Sequence, residues 1–199
     1  YEAKLGYETF GGEITTFSPS YKKEEMQELV KISNHIIFNS FVQWQNFKPM
    51  IDEAIKMREN SIEVGLRVNP LYSEVTPEIY NPCIEGSRLG IPPKEFKKGV
   101  KKYGLEGISG LHFHTHCEQN SDALKRTLKH FIKHFGDYIP QMQWINFGGG
   151  HHITRKDYDR ELLVKIIKNF KDKFHTEVYL EPGEAVGWQC GFLIGSVID

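Results

Sequence analysis

The stretch QMQWINFGGGHHITRKDYDRELLVKIIKNFKDKFHTEVYLEP (141–182) decides the architecture, because it holds a strand, a helix and a second strand in uninterrupted order. Residues 143–147 form a short apolar run ending in three glycines, Gly148, Gly149 and Gly150. A charged segment of helical period follows over 157–174, and a second short apolar run over 177–180. Two strands separated by a crossover helix of this length run parallel.

The same unit recurs outward in both directions. Strands are expected at 13–17, 35–39, 63–69, 107–113 and 192–198, and helices at 22–33, 48–58, 93–102 and 121–135. Ser20 reads as the start signal of the first helix, with Glu24 and Glu25 in its opening turn. Pro49 is expected in the first turn of the second, where the missing N–H costs nothing. Thr154 is a candidate cap for 157–174. Residues 70–85, carrying Pro70, Pro77 and Pro82, read as a long irregular loop, usually functional or mobile in a compact domain. Met50, Ile51, Ala54 and Ile55 share a helix face and read as core, with Trp44 and Phe47 packing just before it.

Strand–helix alternation defines an α/β fold with parallel strands. A dinucleotide-binding sheet would carry GxGxxG after its first strand, whereas the only glycine run here comes late, so a (β/α)8 barrel is the expected form. At 199 residues the chain is shorter than the ~250 of a typical complete barrel. It opens without Met and stops inside an expected strand, so we read residues 1–199 as one barrel domain truncated at both ends. A net charge of −1 gives no electrostatic case for nucleic acid or an anionic membrane. No run reads as a signal peptide or a membrane span. Three cysteines spaced far apart, without CxxC, favour reduced thiols in a cytoplasmic protein.

Polar and glycine clusters follow four of the expected strands: RVNP (67–70), HFHTHCE (112–118), GGGHH (148–152) and EPGE (181–184). In a barrel, catalytic groups gather at the carboxyl ends of the strands. The glycine run is either a flexible turn or a backbone anion site. His112, His114 and His116 share one strand face. They form a zinc or iron site, an aromatic wall against a cofactor ring, or partly buried histidines of no special role. Glu181, ending a strand, is a partner for a cationic ring nitrogen, a metal ligand or a solvated loop acid.

Together these clusters resemble the fold-type III pyridoxal-phosphate decarboxylases, the group of the ornithine, diaminopimelate and carboxynorspermidine enzymes, whose barrel is of the alanine racemase type. The carriers are RVNP (67–70), GLHFHTHCEQ (110–119), INFGGG (145–150) and LEPGEA (180–185). The stretches YEAKLGYETFGGEITTFSP (1–19) and GWQCGFLIGSVID (187–199) look most like the carboxynorspermidine branch. The resemblance implies pyridoxal 5'-phosphate as cofactor, with Gly148, Gly149 and Gly150 at its phosphate, His114 stacked on its ring, Glu181 facing its pyridine nitrogen and Arg67 nearby. Glu181 and His114 are then the catalytic pair, and no metal is expected.

Three departures from the family pattern stand out. His116 and Cys117 replace the Gly-Ser that relatives often carry after the stacking histidine, and Glu184 stands where many have a phosphate-binding arginine. A glutamate would be repelled by phosphate, so Glu184, with Glu118, is expected to meet ammonium groups of a polyamine precursor instead. The Schiff-base lysine of the family falls upstream of Tyr1, so these residues alone are expected to be inactive. The expected parent is a homodimeric decarboxylase of carboxynorspermidine or carboxyspermidine in polyamine biosynthesis. The alternatives are a diaminopimelate or other basic amino-acid decarboxylase, a metal-dependent barrel hydrolase, and a non-catalytic cofactor-binding protein.

Overall fold

The computed structural model describes residues 1–57 and 62–197. Six parallel strands, β1 (Thr15–Phe17), β2 (His35–Phe38), β3 (Glu63–Arg67), β4 (Gly110–His112), β5 (Trp144–Gly149) and β6 (Glu177–Glu181), form one sheet in sequence order. Every strand therefore lies beside its chain neighbour. A doubly wound sheet reverses its order at a switch point, and a barrel wall does not. The sheet is a half-barrel, with helices α1 (Glu2–Thr9), α2 (Lys23–Ile32), α3 (Phe41–Met57), α4 (Pro93–Tyr103), α5 (Ser121–Phe135), α6 (Arg160–Phe174) and α7 (Gly183–Gly187) in alternation with its strands.

Strand side chains alternate between two faces. Outward-facing Phe38, Leu66, Leu111, Phe113, Ile145 and Phe147 are fully buried and join Met26, Ile51, Phe96 and Phe131 of the helices in one core. Each such burial stabilises by ~1.5–3 kcal/mol. An exposed ion pair such as Lys31–Glu28 contributes only ~0–1 kcal/mol, so the core and not the surface charge holds the helices down. On the inner face, Gly65 and Gly110 make room for the indole of Trp144, which a Cβ at either position would overlap. His35 and Tyr179 pack around that indole, with ring centroids 5.4 and 6.0 Å away.

Several expectations need correction. Pro49 lies well inside α3, because Ser40 starts that helix earlier: its hydroxyl accepts from the Gln43 N–H at 3.1 Å. Trp44 is consequently helical and buried. Lys22, not Ser20, precedes α2, and its backbone N–H is satisfied by Glu25 at 3.1 Å. Asp159 rather than Thr154 caps α6, accepting from the Leu162 N–H at 2.8 Å. The expected strand over 192–198 has no ladder partner among the described residues. Phe192, Leu193, Ile194 and Val197 stand over 90% exposed, so apolar character alone does not make a strand there. Arg58 and Ile198, at the ends of two expected elements, lie outside the described residues. The short helices α1 and α7 were not anticipated from periodicity.

Candidate functional site

Arg67 and His112, at the carboxyl ends of β3 and β4, are cross-strand neighbours in register with Asn146 in the middle of β5, and Gly149 pairs with Glu181 at the end of β6. All four side chains lie on the inner face by strand alternation. The Asn146 amide donates to Glu181 Oε1 at 2.8 Å, while its own oxygen accepts from the Gly148 N–H at 2.8 Å. The other carboxylate oxygen lies 3.5 Å from His112 Nε2 and 3.8 Å from His114 Nδ1. Arg67 donates to the His114 carbonyl at 3.2 Å and lies 4.6 Å over the Phe17 ring.

The electrostatics follow from this crowding. Burial pushes Glu181 upward, but the hydrogen bond and charge of His112, then Asn146 and His114, outweigh it and hold the carboxyl well below its usual range. His114 is pushed down to about 4, first by burial and then by His112 and Arg67. Burial also lowers Arg67, which the charge of Glu181 opposes. At neutral pH the site is an ionised carboxylate beside a neutral, 37% exposed imidazole.

The glycine run has a steric cause. Gly148 and Gly150 adopt φ of +73° and +76°, and a Cβ on either would overlap the backbone after β4, at Phe113–His114 and at His116. A Cβ on Gly149 would come within 2.6 Å of the Glu181 carbonyl and 3.0 Å of the His114 ring. The glycines therefore bring three strand ends into contact around one opening. The Gly148 N–H is already committed to the Asn146 side chain and offers no free donor to an anion.

The expected substrate residues sit further out. Glu184 Oε1 lies 3.3 Å from Nε2 of buried His152, and Glu118 is exposed in a left-handed conformation, φ +59°. The Cys117 thiol is raised by burial and then by the charges of Glu118 and Glu184. His116 turns away from Glu181 to pack against His151, centroids 5.1 Å apart, and burial followed by that neighbour lowers it to about 3. The loop after β3 is pinned rather than free. Tyr72 stacks on His130 at 4.0 Å, Ser73 donates to the Thr115 carbonyl at 2.6 Å, and Arg126 binds Glu74 through two bonds of 2.6 and 2.8 Å. Sequence reasoning missed Asn146; its one signal was its place on the inward face of β5, two residues before Gly148.

No family model matches the chain. It is 49% identical, over all of its 199 residues, to carboxynorspermidine/carboxyspermidine decarboxylase of Campylobacter jejuni, covering 49% of that protein. It is 37% identical to carboxyaminopropylagmatine decarboxylase of Synechocystis, again over its full length and 49% of the relative. A crystal structure of the Campylobacter jejuni carboxynorspermidine decarboxylase complexed with norspermidine superposes with a TM-score of 0.79 at 46% identity, covering 94% of this chain and 45% of that one. The chain spans about half the length of the curated relatives it matches. The class resemblance drawn from the sequence motifs is therefore borne out: this is an α/β half-barrel similar along its whole length to named decarboxylases. Within that class the likeness is strongest, among these three, to carboxynorspermidine/carboxyspermidine decarboxylase.

Proposed function

We propose that the chain is part of the cofactor-binding domain of a pyridoxal-phosphate-dependent decarboxylase on a (β/α)8 barrel. The intact protein converts carboxynorspermidine to norspermidine, and carboxyspermidine to spermidine, releasing CO2. The observation that carries this reading is Glu181, an ionised carboxylate fixed by Asn146 on one oxygen and flanked by His112 and His114 on the other. The donor set fits the cofactor. A fixed anion suits a protonated pyridine nitrogen, the half-open His114 ring suits stacking, and the glycine turn lets backbone amides approach a phosphate.

When bound, pyridoxal phosphate supplies the conjugated ring that accepts the electron pair left by departing CO2. Glu181 keeps a proton on the ring nitrogen, which strengthens that acceptance. Asn146 prevents the carboxylate from rotating away, and His114 covers one ring face against water. Glu184 and Glu118, whose charges both reach Cys117, meet the ammonium groups of the polyamine chain. That chemistry favours a polyamine precursor over diaminopimelate, whose far end carries a carboxylate. The intact protein acts as a homodimer, a reading that rests on the family resemblance, and in the cytoplasm, a reading that rests on its three widely spaced cysteines. Among the described residues no helix is long and apolar enough to cross a membrane.

The test is CO2 release by the full-length protein with added pyridoxal phosphate. Carboxynorspermidine, carboxyspermidine, carboxyaminopropylagmatine and diaminopimelate are compared. The first two should give the highest kcat/KM. A protein loaded with cofactor that turns over none of the four refutes the proposal, and a preference for diaminopimelate refutes the substrate assignment.

A further inference from the structure

His112 is 1% exposed; its Nε2 faces the Glu181 carboxylate, and its Nδ1 has no hydrogen-bond partner among the described residues. A buried ring nitrogen without a hydrogen-bond partner is uncommon. The Nε2 atom is aimed at Glu181 Oε2, 3.5 Å away, and His114 Nδ1 lies 3.8 Å from the same oxygen. One donor atom from each residue falls within 4.8 Å of the other two. Ligands bound to zinc at 2.0–2.1 Å in tetrahedral geometry stand ~3.4 Å apart, so two of the three spacings are nearly those of a metal site. Asn146 holds Glu181 Oε1 and leaves Oε2 turned to the histidines, the kind of outer support that orients a ligating carboxylate. His114 is 37% exposed, so the cluster is open on that side. Two imidazoles and one carboxylate select zinc, cobalt or nickel over magnesium or calcium.

Arg67 opposes a cation here, because its guanidinium is buried in the same electrostatic neighbourhood as Glu181. It also donates to the His114 carbonyl, so its charge is tied to backbone and not to the carboxylate. The repulsion weakens the site without removing a ligand.

We propose that the cofactor-free site binds one divalent transition-metal ion through His112 Nε2, His114 Nδ1 and Glu181 Oε2, and that this ion and pyridoxal phosphate exclude each other. Exclusion follows because Glu181 and the His114 ring cannot serve both occupants. By linkage, each then weakens the other's binding by the same factor. The exclusion rests on the cofactor reading above; the metal site does not. Its consequence is a protein whose cofactor loading is blocked by free zinc.

The experiment uses the full-length protein, dialysed against hydroxylamine to remove pyridoxal phosphate and then against a chelator. Zinc is titrated calorimetrically, and cobalt(II) is followed by its visible absorption. Pyridoxal phosphate is then added while protein-bound zinc is measured by elemental analysis. One zinc per chain is expected, with no heat from magnesium and with release of zinc as the cofactor's absorption appears. His112→Gln and Glu181→Gln should each weaken zinc more than the ten- to hundredfold expected for Asn146→Ala, an outer-support change. Circular dichroism checks that each variant is folded. Absence of stoichiometric zinc or cobalt binding by the wild-type protein overturns the proposal, as does binding unaltered in both folded ligand variants. Simultaneous occupancy by zinc and cofactor overturns the exclusion. Zinc binding with no cofactor binding at all leaves the metal site standing and refutes the cofactor reading instead.

Discussion

Glu181 and Glu184 are near neighbours in the chain, but their surroundings give them different chemistry. Glu181 is locked by Asn146 and by two imidazoles, whereas Glu184 is 40% exposed and meets one buried imidazole, that of His152. In the intact protein, Glu181→Gln should therefore lower kcat for every substrate, because it acts on the cofactor ring and not on the substrate tail. Glu184→Gln should instead lower kcat/KM by roughly ten- to a hundredfold on substrates with a terminal ammonium, the loss of a charged hydrogen bond of ~1.5–3 kcal/mol. Cofactor affinity should hold, since removing an anion cannot weaken a phosphate's binding through repulsion. His152→Gln serves as the control for the broken pair. Steady-state kinetics on carboxynorspermidine and on a shorter substrate without the ammonium decide the matter. An equal loss on both would remove Glu184 from the substrate tail.

At the scale of elements, the fit of α4 against α3 depends on Gly99. Glycine inside a helix costs ~0.5–1 kcal/mol relative to alanine, so propensity alone makes Gly99→Ala stabilising. Packing says the reverse. A Cβ at this position would overlap the ring of Phe41, which is 4% exposed and held between Phe96 and Tyr103 at centroid distances of 5.5 and 6.1 Å. Overpacking of this kind costs ~1–3 kcal/mol and exceeds the propensity gain. Urea unfolding should therefore show a lower midpoint for Gly99→Ala with an unchanged slope. A higher midpoint would mean that the Phe41 ring relaxes freely, and that this helix contact is looser than its geometry.

For the whole molecule, the long loop after β3 ties the strand ends to the outer helices through Glu74 and Arg126. The Arg126 hydrogen bonds hold the Glu74 carboxyl down at about 2, with Tyr72 adding to the effect against some burial. A carboxyl lowered on folding binds its proton more readily when unfolded, so its stabilising contribution is full above the ordinary carboxylate range. It fades as pH falls towards the folded value. The stability difference between wild type and Glu74→Gln should thus be largest near neutrality and shrink between pH ~4.5 and ~2. Chemical denaturation of both proteins at several pH values measures it. A difference that does not change over that window would place the loop's stability in the Tyr72–His130 stack instead of the ion pair.

Much of this architecture was legible in the chain. Alternating strand and helix periods, and the lack of an early GxGxxG, argued for a parallel sheet wound in one direction, and the sheet has that order. The helix at Ser121–Phe135 has the bounds expected from its helical period over 121–135. Legibility failed where distant residues decide. Pro49 suggested a helix start, but Ser40 and the burial of Phe41 and Trp44 extend α3 past it. The apolar run over 192–197 looked like a strand, yet a strand exists only where a neighbour completes its hydrogen bonds. In the site, the sequence pattern drew attention to the clusters holding Arg67, His112, His114, the glycines and Glu181 at strand ends, while their roles came only from the family resemblance. Only the tertiary structure decided that Asn146 clamps Glu181, that His116 turns to His151, that Glu184 meets His152, and that each glycine clears another strand's backbone. Those are contacts between residues far apart in the chain, set by strand register and loop packing, and local periodicity carries no record of either.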